Sequence, residues 1–187
     1  MYHIGSDKRQ IQSAGLICEA LERLLQKKPY QAITITQLAE EAGVGRATFY
    51  RLFDDKADVM LYQIEQVFNE LVALLGPDSG SSLVLTTLFE GWLRQKALFL
   101  ALIEAGLYEV FQTRLSVIVE EKLAFVREER GVDSRSWRYF VHIRAGMLFA
   151  ALRVAITQYP NDTADDIIAT MNRLFGTGHA IAPDGKD

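Results

Sequence analysis

One cysteine in 187 residues, Cys18, has nothing within the chain to pair with, which excludes an internal disulfide framework and a zinc cage built from several thiolates. The cytosol is therefore the expected compartment. Prolines are scarce as well, four in all, so long helices have room to run. No apolar run approaches the roughly 18–20 residues that a membrane helix needs, and the polar, mixed-charge stretch over residues 1–12 lacks the apolar core of a signal peptide. A membrane partner is not expected. Positive charge is not in excess either: Lys+Arg 20 stand against Asp+Glu 24, for a formal net charge of -4. A protein that coats nucleic acid without sequence preference needs a basic surplus, so that class is disfavoured, although a local DNA-reading face is not. Repeats and low-complexity tracts are missing. So are the signatures of catalysis. His3, His142 and His179 lie far apart, with no pair at the i, i+3 or i, i+4 spacing of a metal-binding helix, and no phosphate-cradling glycine loop or Gly-x-Ser-x-Gly elbow occurs. The pairs Glu120-Glu121 and Asp165-Asp166 sit in charged runs that read as solvated faces. No catalytic residue, metal or cofactor is expected, and the chain does not read as an enzyme.

What the sequence does have is apolar periodicity of one kind. Ala14, Ile17, Cys18, Leu21, Leu24 and Leu25 recur at steps of three and four, an amphipathic helix entered near Ser6 or Asp7 and stopped by Lys27, Lys28 and Pro29. Two short helical signals follow within residues 33–53. Asp54 and Asp55 then cap a helix with Val59, Met60, Ile64, Val67, Phe68, Leu71, Leu74 and Leu75 on its apolar face, ended by Gly76 and Pro77. The polar run 78–82 is the clearest internal boundary. Further helices are expected at about 82–95, 97–105, 108–129, 134–158 and 163–175, with residues 176–187 as a tail. No segment alternates with period two long enough for a sheet. The fold class is all-α with about nine helices, divided into a head over residues 1–57, a body over 58–176 and a tail over 177–187.

Residues 34–56 read TITQLAEEAGVGRATFYRLFDDK. Two helices that cross steeply need a small residue at the crossing, here Ala39, and a turn residue that tolerates a left-handed backbone, here Gly43 four positions later. Leu38, Ala42, Val44, Phe49 and Leu52 supply the contacts such a unit buries. Thr34 or Thr36 can cap the first helix. The second, over about Arg46 to Phe53, then exposes Arg46, Ala47, Thr48, Tyr50 and Arg51. Arginine forks onto guanine or pairs with phosphate, threonine offers a hydroxyl and a methyl, alanine leaves room for a thymine methyl, and tyrosine reaches phosphate. Lys56, at the start of the next helix, is placed for another phosphate.

This run closely resembles the DNA-binding signature of the TetR family of bacterial transcriptional regulators. The resemblance covers about residues 8–60 in sequence and the whole chain in helix number and length. It implies a homodimer with a three-helix head that reads double-stranded DNA at a palindromic operator, and a helical body that dimerises and holds an effector, most often as a repressor. By position, Thr34 or Thr36, Tyr50 and Lys56 correspond to phosphate contacts, while Arg46, Ala47, Thr48 and Arg51 correspond to the groove-facing set. Two departures stand out: Gly45 where Ser or Asn is more usual at the start of the recognition helix, and Leu52 where His is common. Both favour the competing reading, a TetR-like protein-binding module whose hold on DNA is weakened.

Charge is split along the chain. Residues 1–60 hold eight Lys/Arg and eight Asp/Glu, so the acidic excess belongs to the body. In the body, Ala145, Gly146, Ala150, Ala151 and Ala155 would let two helices approach closely, and Ile167, Ile168, Met171, Leu174 and Phe175 follow on the last helix; a dimer through these two helices is expected. Phe89, Trp92, Phe99, Tyr108, Trp137, His142 and Met147 fall on helices that can enclose a cavity for a small hydrophobic effector, or an anionic one given Arg138 and Arg144.

Overall fold

The computed structural model describes residues 2–73, 81–122, 124–129 and 131–175. These form ten α-helices and one 3-10 turn, with no strand among them. In chain order the helices are α1 (Lys8–Leu25), α2 (Ile35–Glu41), α3 (Arg46–Leu52), α4 (Lys56–Ala73), α5 (Ser81–Arg94), α6 (Lys96–Glu104), α7 (Tyr108–Lys122), α8 (Ala124–Glu129), α9 (Ser134–Gln158) and α10 (Ala164–Phe175); the 3-10 turn is Tyr30–Ala32. The all-α reading holds. The tenth helix arises because the stretch expected as one helix over 108–129 is described as α7 and α8, with residue 123 outside the described residues. The expected stop at Gly76 and Pro77, most of the polar loop after it and the tail over 177–187 also lie outside them.

Polar side chains placed at the helix starts explain why the helices begin where they do. Asp7 accepts from Arg9 N at 2.9 Å to open α1. Asp55 Oδ1 accepts from Ala57 N and Asp58 N at 2.8 and 3.0 Å to open α4. Asp133 takes Arg135 N and Ser136 N, both at 3.0 Å, to open α9. Each satisfies first-turn N–H groups that the helix itself leaves without acceptors. Gly106 has φ +70 and ends α6: Leu107 N donates to Leu102 O at 2.9 Å and Gly106 N to Ile103 O at 3.1 Å, a left-handed closure that a Cβ would strain.

By packing, the chain divides into two compact units. The first comprises residues up to Glu70 together with Gln95–Tyr108, and so includes α1 to α3, most of α4 and all of α6. In it, α1 packs against α2, α3 and α6. Its core joins Ile17, Leu21, Leu38, Phe49, Leu52, Phe53, Met60, Phe99 and Leu102, all essentially inaccessible. Cys18 belongs to it too, and burial, followed by the charges of Glu22 and Glu19, pushes its thiol up to about 12. It is a small core hydrophobe rather than a nucleophile.

The second unit comprises Leu71–Arg94 and the described residues from Glu109 onward, and here α5 packs on α9 and α10, and α9 on α10. The Trp92 ring stacks on Phe149 at 5.1 Å between centroids, with Phe89 edge-on to Trp92 at 5.8 Å and Phe111 edge-on to Phe149 at 5.2 Å. A separate cluster gathers Trp137 and Val141 with Val119, Val132 and Phe140. By length and composition α9 could cross a membrane, although the sequence suggested no such run. It carries Arg144 and Arg153 within its length, and one face packs inside the protein through Trp137, Val141, Ala145, Phe149, Leu152, Ala155 and Ile156. Phe149 contacts two of the largest buried rings, so Phe149→Ala should remove about 3–5 kcal/mol from the unfolding free energy. Urea denaturation followed by tryptophan fluorescence measures this; a loss below about 1 kcal/mol would show that this aromatic cluster is not the centre of the second unit's core.

Candidate nucleic-acid interface

The candidate surface starts at Thr34, the residue ahead of α2. Its Oγ1 accepts from Gln37 N at 3.2 Å while Thr34 N donates to Gln37 Oε1 at 3.1 Å, a reciprocal capping box that closes the start of α2. Thr34, not Thr36, is therefore the cap, and both are exposed. At the other end of α2, Gly43 has φ +67; Val44 N donates to Ala39 O and Gly43 N to Glu40 O, both at 3.0 Å. This closure turns the chain sharply into α3 and is inaccessible to most L-residues without strain. Ala39, 1% exposed, is the small residue at the crossing. The contacts expected to be buried are buried, except that Val44 is only half so.

α3 begins at Gly45, whose carbonyl accepts from Thr48 N at 2.9 Å and Phe49 N at 3.1 Å but which has no side chain to cap the helix. Its φ of -72 is ordinary and a Cβ there would meet nothing within 4 Å, so Ser or Asn would fit without strain. On the inner side of α3, Phe49 and Leu52 are fully buried. Leu52 consequently takes no polar group away from the exposed side: three residues after Phe49, it points into the core. The outer side presents Arg46, Ala47, Tyr50 and Arg51 exposed and Thr48 half-exposed. The Tyr50 ring stands edge-on to Phe49 at 5.6 Å and stays exposed.

Lys56 is placed differently from a freely swinging surface lysine. Its Nζ donates to Tyr30 O and to Ile33 O, both at 2.8 Å, and lies 4.1 Å from the centroid of the Tyr30 ring. Partial burial pulls its pKa down, against the opposing pull of Asp55. Two of three ammonium donors thus tie the start of α4 to the 3-10 turn just ahead of Thr34, and one remains. Neighbouring cations are engaged as well. Arg23 Nε meets Glu41 Oε1 at 2.9 Å, Arg23 Nη2 donates to Glu41 O at 3.2 Å, and Lys27 lies 3.8 Å from the same carboxylate. The Arg23 hydrogen bond, then Lys27, lowers the Glu41 pKa. Lys28 Nζ donates to Gln37 Oε1 at 2.6 Å. Among the described residues Lys8, Arg9, Arg46 and Arg51 have no carboxylate partner.

The residues expected to line an effector cavity are divided between the two units. Phe99 and Tyr108 belong to the first, and Phe89, Trp92, Trp137, His142 and Met147 to the second. Phe89 and Trp92 are part of the packed aromatic core, Met147 is half-buried, and the His142 side chain is 43% exposed beside Glu120 at 3.9 Å. Sequence reasoning passed over Gln37, although the Thr-x-x-Gln spacing signals it, and Tyr30, for which no local signal exists.

The chain can now be set beside known proteins. The family described as bacterial regulatory proteins, tetR family, matches residues 17–62. An HTH-type transcriptional regulator of Staphylococcus aureus (strain bovine RF122 / ET3-1) is 31% identical over 65 residues, which is 35% of this chain and 35% of that protein. The chain thus aligns with about a third of the length of that relative. A solved structure, the dihydroxyacetone kinase operon activator DhaS, superposes with a TM-score of 0.63 over 87% of this chain and 93% of its own, at 17% identity, a likeness of fold.

Replacing Lys56 by Met removes the ammonium donor from Ile33 O and from Tyr30 O, the latter keeping the Ile33 amide. The head should lose about 1–3 kcal/mol of stability, read from thermal or urea unfolding, and unchanged stability would mean that the two 2.8 Å contacts do not hold the turn.

Proposed function

The chain belongs to the TetR family of bacterial transcriptional regulators, and from that premise we propose that it acts in the cytoplasm as a homodimer, reads a palindromic operator through α3, represses from it, and releases it when a small effector binds the body. One observation carries the reading. A short helix has one side locked into the core by Phe49 and Leu52 while the other offers Arg46, Ala47, Thr48, Tyr50 and Arg51 to solvent. Two arginines without carboxylate partners among the described residues, on such a helix, suit phosphate and the acceptor edge of guanine. Thr34, Thr36, Gly45 and the remaining donor of Lys56 flank them at the helix starts, as backbone-positioning contacts would.

Support for a dimer lies on α9. Besides its buried face it carries a second apolar stripe at helical spacing, with Tyr139, Ile143, Ala150 and Val154 exposed and Met147 half-exposed, and α10 adds exposed Leu174 and Phe175. Exposed aliphatic side chains in register on one helix are what an isologous helix interface needs. Ala145 and Ala155, also read as interface residues from the sequence, are buried within the protomer, so the stripe at Ile143, Ala150 and Val154 is the better candidate. Two such heads would meet successive major grooves with half-sites about 34–36 Å apart or somewhat more.

An effector reading draws on Trp137 and Arg144. The Trp137 indole is 1% exposed and its Nε1 has no acceptor among the described residues, so it can donate to a bound molecule. Arg144, with its guanidinium 5.7 Å from the Phe140 ring and its pKa lowered by desolvation, suits an anionic group nearby. Within the first unit α6 packs on α1, and Gln31 Nε2 donates to Glu104 O at 3.1 Å, so α6 braces α1 and the 3-10 turn that precedes the DNA-facing helices. An effector that binds the DNA-competent form of the dimer less well than another form lowers operator affinity by that difference. The competing reading, a protein-binding module, loses one of its two supports because Leu52 lies in the core, and rests on Gly45 alone.

Gel shifts or anisotropy with the duplex upstream of its own gene test the reading. A specific, salt-sensitive complex is expected, and its absence would favour the protein-binding module. Arg46→Ala and Thr48→Ala should each weaken that complex by about 1–3 kcal/mol while leaving scrambled DNA much less affected; equal losses on both duplexes would remove them from the base-reading set. Ile143→Glu with Val154→Glu should convert a dimer to a monomer in sedimentation, and a persisting dimer would place the interface elsewhere.

A further inference from the structure

We propose that Tyr2 is a positioning residue for the recognition helix: the segment from Tyr2 to Gly5 straps the C-terminal end of α3 to α4 and so fixes how α3 is presented. The inference rests on the reading of α3 as the DNA-reading helix. α3 ends at Leu52, and Phe53 leaves it in an extended conformation, φ -140 and ψ 136. The chain's beginning pairs with that exit: Tyr2 forms an antiparallel bridge with Phe53, and His3 N donates to Leu52 O at 2.8 Å. A carbonyl that the end of a helix leaves without an intrahelical donor is thereby satisfied from the opposite end of the head.

Tyr2 carries the strap onward. Its hydroxyl donates to Glu65 Oε2 on α4, a side chain only 5% exposed, and its ring stands edge-on to Tyr62 of α4 at 5.1 Å. Tyr62 packs at 5.8 Å on Phe53, which in turn lies 5.8 Å from Phe49 on the buried side of α3. One aromatic row therefore runs from the arm through α4 to the inner face of the recognition helix. Two outer bonds hold the arm flat: His3 Nε2 lies 2.9 Å from Asp54 Oδ1, and Gly5 N donates to Gln10 Oε1 at 3.0 Å. A helix of seven residues has little stiffness of its own, and a rotation of some tens of degrees about its axis would turn Arg46 and Arg51 away from the bases.

The test uses the full chain with Tyr2→Ala, Tyr2→Phe and Glu65→Gln, well below their unfolding midpoints. Amide hydrogen exchange of the free protein reads the strap without DNA. In Tyr2→Ala the amides of Leu52 and Phe53 should exchange about tenfold faster, as loss of roughly one hydrogen bond allows. Tyr2→Phe keeps the ring and should fall between, and Glu65→Gln, whose amide oxygen still accepts from the phenol, should stay near the parent. The tightest duplex selected by the parent from a randomised pool, compared with its scrambled version, reads the function. In Tyr2→Ala the ratio of the two affinities should fall about tenfold with the scrambled affinity unchanged. Unaltered exchange, or an equal loss on both duplexes, overturns the proposal; should Tyr2→Ala fail to fold, Tyr2→Phe decides it by the same two measurements. A parent protein that selects no duplex refutes the DNA-reading function instead, while the exchange data still decide the strap.

Discussion

Seven residues are too few for a helix to hold itself together in water, because nucleation fixes several backbone angles before propagation returns any of that cost, and α3 has seven. α2 is no longer. The head therefore depends on burying the inner side of α3, with Phe49, Leu52 and Phe53 each fully inaccessible against α1 and its neighbours. Every other device in the head serves that burial or exploits it. Gly43 supplies the left-handed turn that points α3 inward, Thr34 and Gln37 close α2, and Lys56 ties α4 to the turn ahead of them. Because the inner side is fixed by packing, the outer side is free to be chosen for a partner, and the identity of that side can change without loss of the fold.

The helix-turn-helix was legible in the sequence because its constraints are local. Ala39 and Gly43 lie four positions apart, so each imposes its residue type within one window; the capping pair Thr34 and Gln37, three apart, is as local, yet only the threonine was read from it. Lys56 illustrates the opposite case. Its position at a helix start suggested a phosphate contact, yet its donors go to carbonyls 23 and 26 residues earlier, which no periodicity encodes. Tyr2 and Glu65 are further apart still, 63 positions. Leu52 misled for a related reason: compared with a family pattern it looked like a missing polar contact, whereas its place three residues after Phe49 already put it on the inward face. Aromatic residues of the body were legible as buried but not as pocket, since rings at helical spacing pack on one another first, as Trp92, Phe89, Phe111 and Phe149 do.

α9 shows the same limit from another side. Its overall apolarity, high enough to suggest a membrane span by composition, results from two stripes with different destinations. Trp137, Val141, Phe149, Leu152 and Ile156 are consumed by the protomer's own core, whereas Ile143, Ala150 and Val154 remain outside. The contrast between the two faces of such a helix is small because both are apolar, so periodicity finds the helix without separating the core side from the exposed side. Only the packing partners, α5 and α10 on one side, make the distinction.

Charge limits how the head could hold DNA. Its first sixty residues contain as many acids as bases. Of the eight cations, Arg23 and Lys27 face Glu41, while Lys28 and Lys56 keep their charge but direct donors to the neutral Gln37 Oε1 and to two carbonyls. Under the proposed function Lys8, Arg9, Arg46 and Arg51, which have no carboxylate partner among the described residues, and the remaining donor of Lys56 meet phosphates and bases. Counterion release scales with the number of phosphates neutralised, so a head with so few uncommitted cations gains little from DNA of arbitrary sequence. Under the proposed function, discrimination then comes from how accurately Arg46, Thr48 and Arg51 meet base edges, which depends on α3 being held still. On that reading the neutrality of the head and the number of contacts fixing α3 belong together, with orientation substituting for charge.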